Sequence, residues 1–111
     1  MVTSPYPKRL EVFLTALDPT LGSEIQKTRP CVIVSPDEMN RHLRTVLVAP
    51  LTSSGREYPF RVAVQFEGKK GHAALDQIRA VDRTRMLRRL GGLSSEEGMA
   101  VLNALVIMFE P

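Results

Sequence analysis

Phe60-Arg61-Val62-Ala63-Val64-Gln65-Phe66 alternates, placing Phe60, Val62, Val64 and Phe66 on one face and Arg61, Ala63 and Gln65 on the other. A period of two is the signature of a half-buried β-strand. Gly68 to Gly71 then supply turn residues. His72 to Val81 resumes extended character, with Leu75 and Gln77 on the face opposite Asp76 and Ile78.

Working back toward the N-terminus, Thr45-Val46-Leu47-Val48-Ala49 and Cys31-Val32-Ile33-Val34 are short β-branched runs bounded by prolines, the pattern of buried strands. Between them Ser35-Pro36-Asp37-Glu38-Met39-Asn40 reads as one helical turn, with Ser35 as the cap and Pro36 at the first helical position. Leu10 to Leu17 alternates Leu10, Val12, Leu14 and Ala16 against Glu11, Phe13 and Thr15. Asp18 to Thr28 lacks apolar periodicity and contains Pro19 and Gly22, so it predicts a long loop of the kind that often carries function. Toward the C-terminus, Ser94-Ser95-Glu96-Glu97 is a capping box, and Met99, Leu102, Leu105, Val106 and Phe109 continue at helical spacing. These helix residues predict a packing face rather than a ligand surface. Five short strands and one terminal helix predict a mainly β fold with a C-terminal helix: a small, curled, mostly antiparallel barrel.

The length of 111 residues suits one domain, 1–111, with 1–8 as a loose lead-in. No segment approaches the roughly 20 apolar residues of a membrane helix. Met1 to Lys8 holds two prolines and no apolar run, so no secretory signal is expected and the cytoplasm is the default location. A single cysteine, Cys31, has no disulfide partner and reads as a buried strand residue. Arginine supplies 11 of the 15 basic side chains, which suits phosphate recognition because the guanidinium fork can donate two parallel hydrogen bonds where lysine acts more like a point charge. Five of these arginines, Arg79, Arg83, Arg85, Arg88 and Arg89, cluster in one short stretch and read equally well as a solvated surface. Aromatic residues are too few for a multi-base stacking platform.

Several chemistries lack support. His42 and His72 form no ligand-spaced pair, so no metal and no other cofactor is expected. Neither histidine lies in a recognisable triad with a serine or cysteine nucleophile. Gly91-Gly92 reads as a turn into the helix cap rather than a phosphate loop. What remains is a set of polar residues at the ends of predicted strands: Arg29 before the second, Thr52 after the third, and Asp76-Gln77-Ile78-Arg79 within the fifth. Each also has an ordinary structural explanation, as a surface cation, a turn residue or an ion-pair partner.

Leu17-Asp18-Pro19-Thr20-Leu21-Gly22-Ser23-Glu24 followed by Lys27-Thr28-Arg29-Pro30 resembles the opening of the MazF/PemK toxin family. The resemblance continues through Val32-Ile33-Val34-Ser35-Pro36-Asp37, Ala49-Pro50-Leu51-Thr52-Ser53, Tyr58-Pro59-Phe60 and Leu75-Asp76-Gln77-Ile78-Arg79-Ala80-Val81-Asp82. It implies an SH3-like, CcdB/PemK-type barrel of about five to seven strands, a homodimer, and a metal-independent endoribonuclease for single-stranded RNA restrained by a cognate antitoxin. By resemblance Arg29 stabilises charge on the phosphate and Thr52 holds the phosphate in line. Asp76 matches a carboxylate assigned as general base in the PemK branch. There, an arginine two residues earlier acts as the acid. Here that position is Ala74, and the first loop lacks the histidine some relatives carry, so the proton-transfer roles stay open. Asp76 is then expected to orient Arg29 or Arg79. Gln77, Arg79, Lys27, Thr28 and Ser53 are the expected RNA contacts, with the loops Leu21 to Thr28 and Ser53 to Pro59 flanking the cleft. Two alternatives use the same barrel: a gyrase-binding toxin that cuts nothing, whose C-terminal Trp-Gly-Ile has no match in Met108-Phe109-Glu110-Pro111, and a non-catalytic RNA-binding protein.

Overall fold

The computed structural model describes residues 5–53 and 58–111. The alternating stretch forms β4 (Arg61–Phe66), paired antiparallel with β5 (Lys69–Ala74) from Arg61 opposite Ala74 to Phe66 opposite Lys69. Glu67 and Gly68 close this hairpin with φ of 52° and 76°, the two left-handed residues that match the natural twist of paired strands. Five more strands complete the sheet: β1 (Glu11–Ala16), β2 (Thr28–Ile33), β3 (Thr45–Thr52), β6 (Arg79–Asp82) and β7 (Met86–Gly92). The order is β4-β5-β3-β2-β1-β7, with β6 also on β3, and every pairing is antiparallel. The result is a curled antiparallel half-barrel carrying two helices, α1 (Asp37–His42) and α2 (Ser95–Met108).

The expected strand His72 to Val81 is broken in two. Leu51 pairs with Ala73 and Val48 with Arg79, so six steps along this side face three along β3. The surplus is taken up by a 3₁₀ turn, Leu75–Gln77, which drives Leu75 into the core and ejects Asp76. β3 runs longer than expected, through Pro50 to Thr52, so Thr52 is a strand residue. β7 was not foreseen, and Gly91-Gly92 is its end rather than a turn. Against β1 its register skips at Leu90 and at Leu87, which destroys the alternation a sequence pattern needs.

Both faces of the curled sheet are filled. On the first, Val12, Val32, Val34, Ala49, Val64, Ala73 and Leu75 meet Val101 of α2. On the second, Leu17, Cys31, Ile33, Val46, Val48 and Val81 gather, with Phe13, Ile25 and Met86 against them. β1 therefore sends Val12 to one core and Phe13 and Leu17 to the other, and Thr15, expected on the polar side, is fully buried.

Ser94 caps α2 as expected, its hydroxyl accepting from the Glu97 N–H at 3.1 Å. Glu97 does not return the bond. It reaches across to accept the Gln65 N–H at 2.6 Å and ties the helix to β4. Gly98, Val101, Ala104, Leu105 and Met108 face the sheet, leaving Met99, Val106, Ile107 and Phe109 exposed. Those four each leave more than half of their surface open. At α1, Pro36 occupies the cap and makes no side-chain bond there. Ser35 instead donates to Asn40 Oδ1 at 2.5 Å and accepts the Leu47 N–H at 3.0 Å, and Asn40 Nδ2 returns a bond to the Ser35 carbonyl at 3.0 Å. A buried amide so satisfied pins α1 to the sheet. Of the lead-in, residues 1–4 lie outside the described residues, while Pro7 is buried and the Lys8 N–H donates to Glu11 Oε1 at 2.7 Å. Among the described residues no helix is long and apolar enough to cross a membrane.

Candidate active-site groove

Directly opposed residues on neighbouring strands project to the same side of a sheet. Leu51, Ala73 and Val62 form one such row across β3, β5 and β4, all in the first core. The next row, Thr52, His72 and Ala63, must therefore face the second side. Extending the β2–β3 register two residues beyond Cys31 opposite Pro50 brings Arg29 level with Thr52. Arg29, Thr52 and His72 thus stand in line on three adjacent strands, beyond the end of the second core.

They line one groove of about 380 Å³ together with Pro30, Leu51, Ser53 and the β4–β5 hairpin, which contributes Lys69, Lys70 and Glu67. The charged lining is three cations to one carboxylate, a setting for an anion. Arg29 is half-buried, and its Nε donates to the Gln26 carbonyl at 3.0 Å, which aims the guanidinium. Among the described residues no other partner takes its two terminal nitrogens, which leaves the fork available to a phosphate. Gly71 also lines the groove; a Cβ there would overlap the Thr52 carbonyl oxygen, so β5 approaches β3 this closely only without a side chain at 71.

Of the expected site residues, the structure brings Arg29, Thr52 and Ser53 together and leaves the others outside the groove lining. Asp76 orients neither Arg29 nor Arg79. Its carboxylate takes a two-pronged ion pair from Arg61, Nε to Oδ1 at 2.8 Å and Nη2 to Oδ2 at 2.9 Å. These bonds from Arg61 hold its pKa below the usual carboxylate range, a poor setting for a base. Arg61 is the cross-strand partner of Ala74, so an arginine reaches Asp76 from the neighbouring strand. It also stacks at 5.3 Å over the Tyr58 ring.

Gln77 is engaged within the chain. Its Oε1 accepts the Ile25 N–H at 3.0 Å and its Nε2 donates to the Ser23 carbonyl at 3.3 Å, clamping the long loop as a strand partner would. Arg79 donates to the Leu17 carbonyl at 3.1 Å, at the start of that loop. Lys27 sits at φ 72° with its N–H on Asp18 Oδ1 at 3.1 Å, and Thr28 opens β2 opposite Ala16. The second flanking loop falls largely on 54–57, outside the described residues.

The arginine cluster is mostly structural. Arg85 donates to the Ala16 and Asp18 carbonyls at 3.1 and 2.6 Å, Arg83 to the Asn40 carbonyl, and Arg89 to Glu11 Oε2 at 2.5 Å. Cys31 is buried, and burial pushes its thiol up to about 11, so it is no nucleophile. Among the described residues no three His, Cys, Asp or Glu side chains gather where they could hold a metal ion. His72, Lys69 and Lys70 are lining residues that the sequence did not single out. The signal for His72 lies in the β3–β5 pairing, a long-range contact.

Comparison with known proteins identifies the family and the fold. Residues 8–109 match the family described as PemK-like, MazF-like toxin of type II toxin-antitoxin system. A relative named Endoribonuclease MazF from Staphylococcus epidermidis is 35% identical over 106 residues, covering 90% of this chain and 88% of the relative. The crystal structure of MazF from Deinococcus radiodurans superposes with a TM-score of 0.76 at 25% identity, over 95% of this chain and all (100%) of that one. An endoribonuclease from a mycobacterial species, solved in complex with its cognate antitoxin, has the same fold with a TM-score of 0.75 at 24% identity, covering 95% and 98% of the two chains. The chain belongs to the PemK-like, MazF-like toxin family of type II toxin-antitoxin systems.

Proposed function

We propose that this protein is a toxin endoribonuclease that cuts single-stranded RNA in the Arg29–Thr52 groove without a metal ion. The observation that carries the reading is that Arg29 and Thr52 line one groove flanked by Lys69 and Lys70. Attack of a ribose 2′-hydroxyl on the adjacent phosphate gives a five-bonded phosphorus whose equatorial oxygens gain charge. A guanidinium held by Gln26 and half-shielded from water is suited to stabilise that charge. The Thr52 hydroxyl is placed to keep the phosphate in line. The products are a 2′,3′-cyclic phosphate and a 5′-hydroxyl end. Lys69 and Lys70 extend the anionic track beyond the scissile phosphate.

The same reading places the protein in the cytoplasm, where messenger RNA is, as one domain acting as a homodimer and restrained by a cognate antitoxin. The exposed apolar residues Met99, Val106 and Ile107 of α2, with Phe109 at its C-cap, support a protein contact on that side.

The test is incubation of the purified protein with a long single-stranded RNA in excess EDTA, with analysis of the fragment ends. Cleavage leaving cyclic phosphate ends is expected, and Arg29→Ala and Thr52→Ala should each suppress it. Intact RNA would sink the ribonuclease reading and favour a protein-binding toxin. Cleavage that EDTA abolishes would reject the metal-free route.

A further inference from the structure

We infer that His72 is the proton acceptor of the groove, taking the proton from the attacking 2′-hydroxyl. The inference rests on the ribonuclease reading above and supplies the role that reading lacks. Arg29 is a poor base, because a guanidinium stays protonated throughout the pH range in which proteins work. Thr52 is no base at neutral pH, and Asp76 is held by Arg61 outside the groove lining. Imidazole is the side chain that gives and takes a proton near neutrality.

His72 is directly opposite Thr52 on β3 and Ala63 on β4, on the side of the sheet that carries Arg29. It lines the main groove and a second depression alongside, formed with Ser53, Ala63, Gln65 and Glu97. The residue is only 9% exposed, so a substrate phosphate would meet a largely dry imidazole. The charged groups that share the two depressions with it are Arg29 from β2, Lys69 and Lys70 from β5, Glu67 from the hairpin turn and Glu97 from α2.

In the step, the neutral imidazole accepts the 2′-hydroxyl proton as the 2′-oxygen bonds to phosphorus and the bond from phosphorus to the 5′-oxygen breaks. The 5′-oxygen takes a proton from a solvent water, and the imidazolium then returns its proton to the hydroxide so formed. No proton or electron is gained or lost overall.

The experiment is single-turnover cleavage of an RNA at saturating protein between about pH 5 and 8, the span across which imidazole titrates. Wild type is compared with His72→Gln and His72→Ala, the latter with and without added imidazole. Binding of an RNA carrying a 2′-deoxy group at the cleaved nucleotide is measured in parallel. Wild-type cleavage should fall on the acid side. His72→Gln should lose about 10²–10⁴-fold in rate, the usual contribution of a positioned base, and should lose that acid limb while still binding the deoxy RNA. Imidazole should restore part of the rate to His72→Ala. Wild-type rates with no acid limb would overturn the assignment even if the variants failed to fold. So would His72→Gln cleavage that keeps both rate and acid limb, or lost binding with no rescue, which would mark a structural role. Wild-type protein that leaves RNA intact would overturn the ribonuclease reading and this assignment with it.

Discussion

The two faces of the curled sheet begin alike and end differently. The first is apolar across β1 to β5 and closed by α2, with Leu75 and Val101 fully buried. The second has a core of its own over β1, β2, β3 and β6, but where it crosses from β2 to β5 the apolar residues give way to Arg29, Thr52 and His72. The first face is given mainly to stability, with only Leu51, Val64 and Phe66 also bordering the groove. The other divides between stability and a charged groove, and the long loop from Asp18 to Lys27 lies near the division, held by Gln77, Arg79 and Arg85.

Given that contrast, substitutions on the two faces should separate activity from stability. Of the substitutions that separate the two faces, Arg29→Ala should have the largest effect, slowing RNA cleavage about 10²–10³-fold, as losing one charge-stabilising donor does. Its urea midpoint should stay near that of wild type, and a collapse of stability would break the division. Leu75→Ala, on the apolar face, should lose about 2–5 kcal/mol in urea unfolding through the cavity it opens. Gln77→Ala removes two bonds to the loop backbone. It should cost about 1 kcal/mol and speed hydrogen exchange at the Ile25 amide, while the core amides of β2 stay protected. Unchanged exchange at Ile25 would show that Gln77 is not the clamp.

Arg61→Ala is expected to be the mildest, at about 0–1 kcal/mol, because its partner Asp76 is exposed to solvent and the attraction is screened. The sign with pH is defined. Arg61 lowers the folded-state pKa of Asp76, so the pair stabilises the protein above the ordinary carboxylate range and loses that contribution as pH falls through the lowered value. The difference between wild type and Arg61→Ala should shrink in acid. A difference that grows there would contradict the ion pair.

Local patterns carried much of this architecture. The alternation of β4, the proline-bounded runs of β2 and β3 and the Ser94 cap are visible because each depends on neighbours within a few residues. β7 was hidden because bulges at Leu90 and Leu87 remove its period. The break in the strand after Ala74 was hidden because Leu75-Asp76-Gln77 is extended by composition, and only pairing with β3 shows the three residues to be surplus. At the site, Arg29 and Thr52 came from a resemblance carried by ordered motifs. His72 and the Arg61–Asp76 pair depend on which strands lie side by side, and that is decided by packing over long separations.

Gly71 gives the groove an adjustable dimension. Because an added methyl would strike the Thr52 carbonyl, Gly71→Ala would act as a wedge, prising β5 from β3 while leaving every reactive group chemically unchanged. The substitution is a ruler: it asks how much catalysis depends on distance alone, with the charges, the proton carriers and the RNA track all still in place.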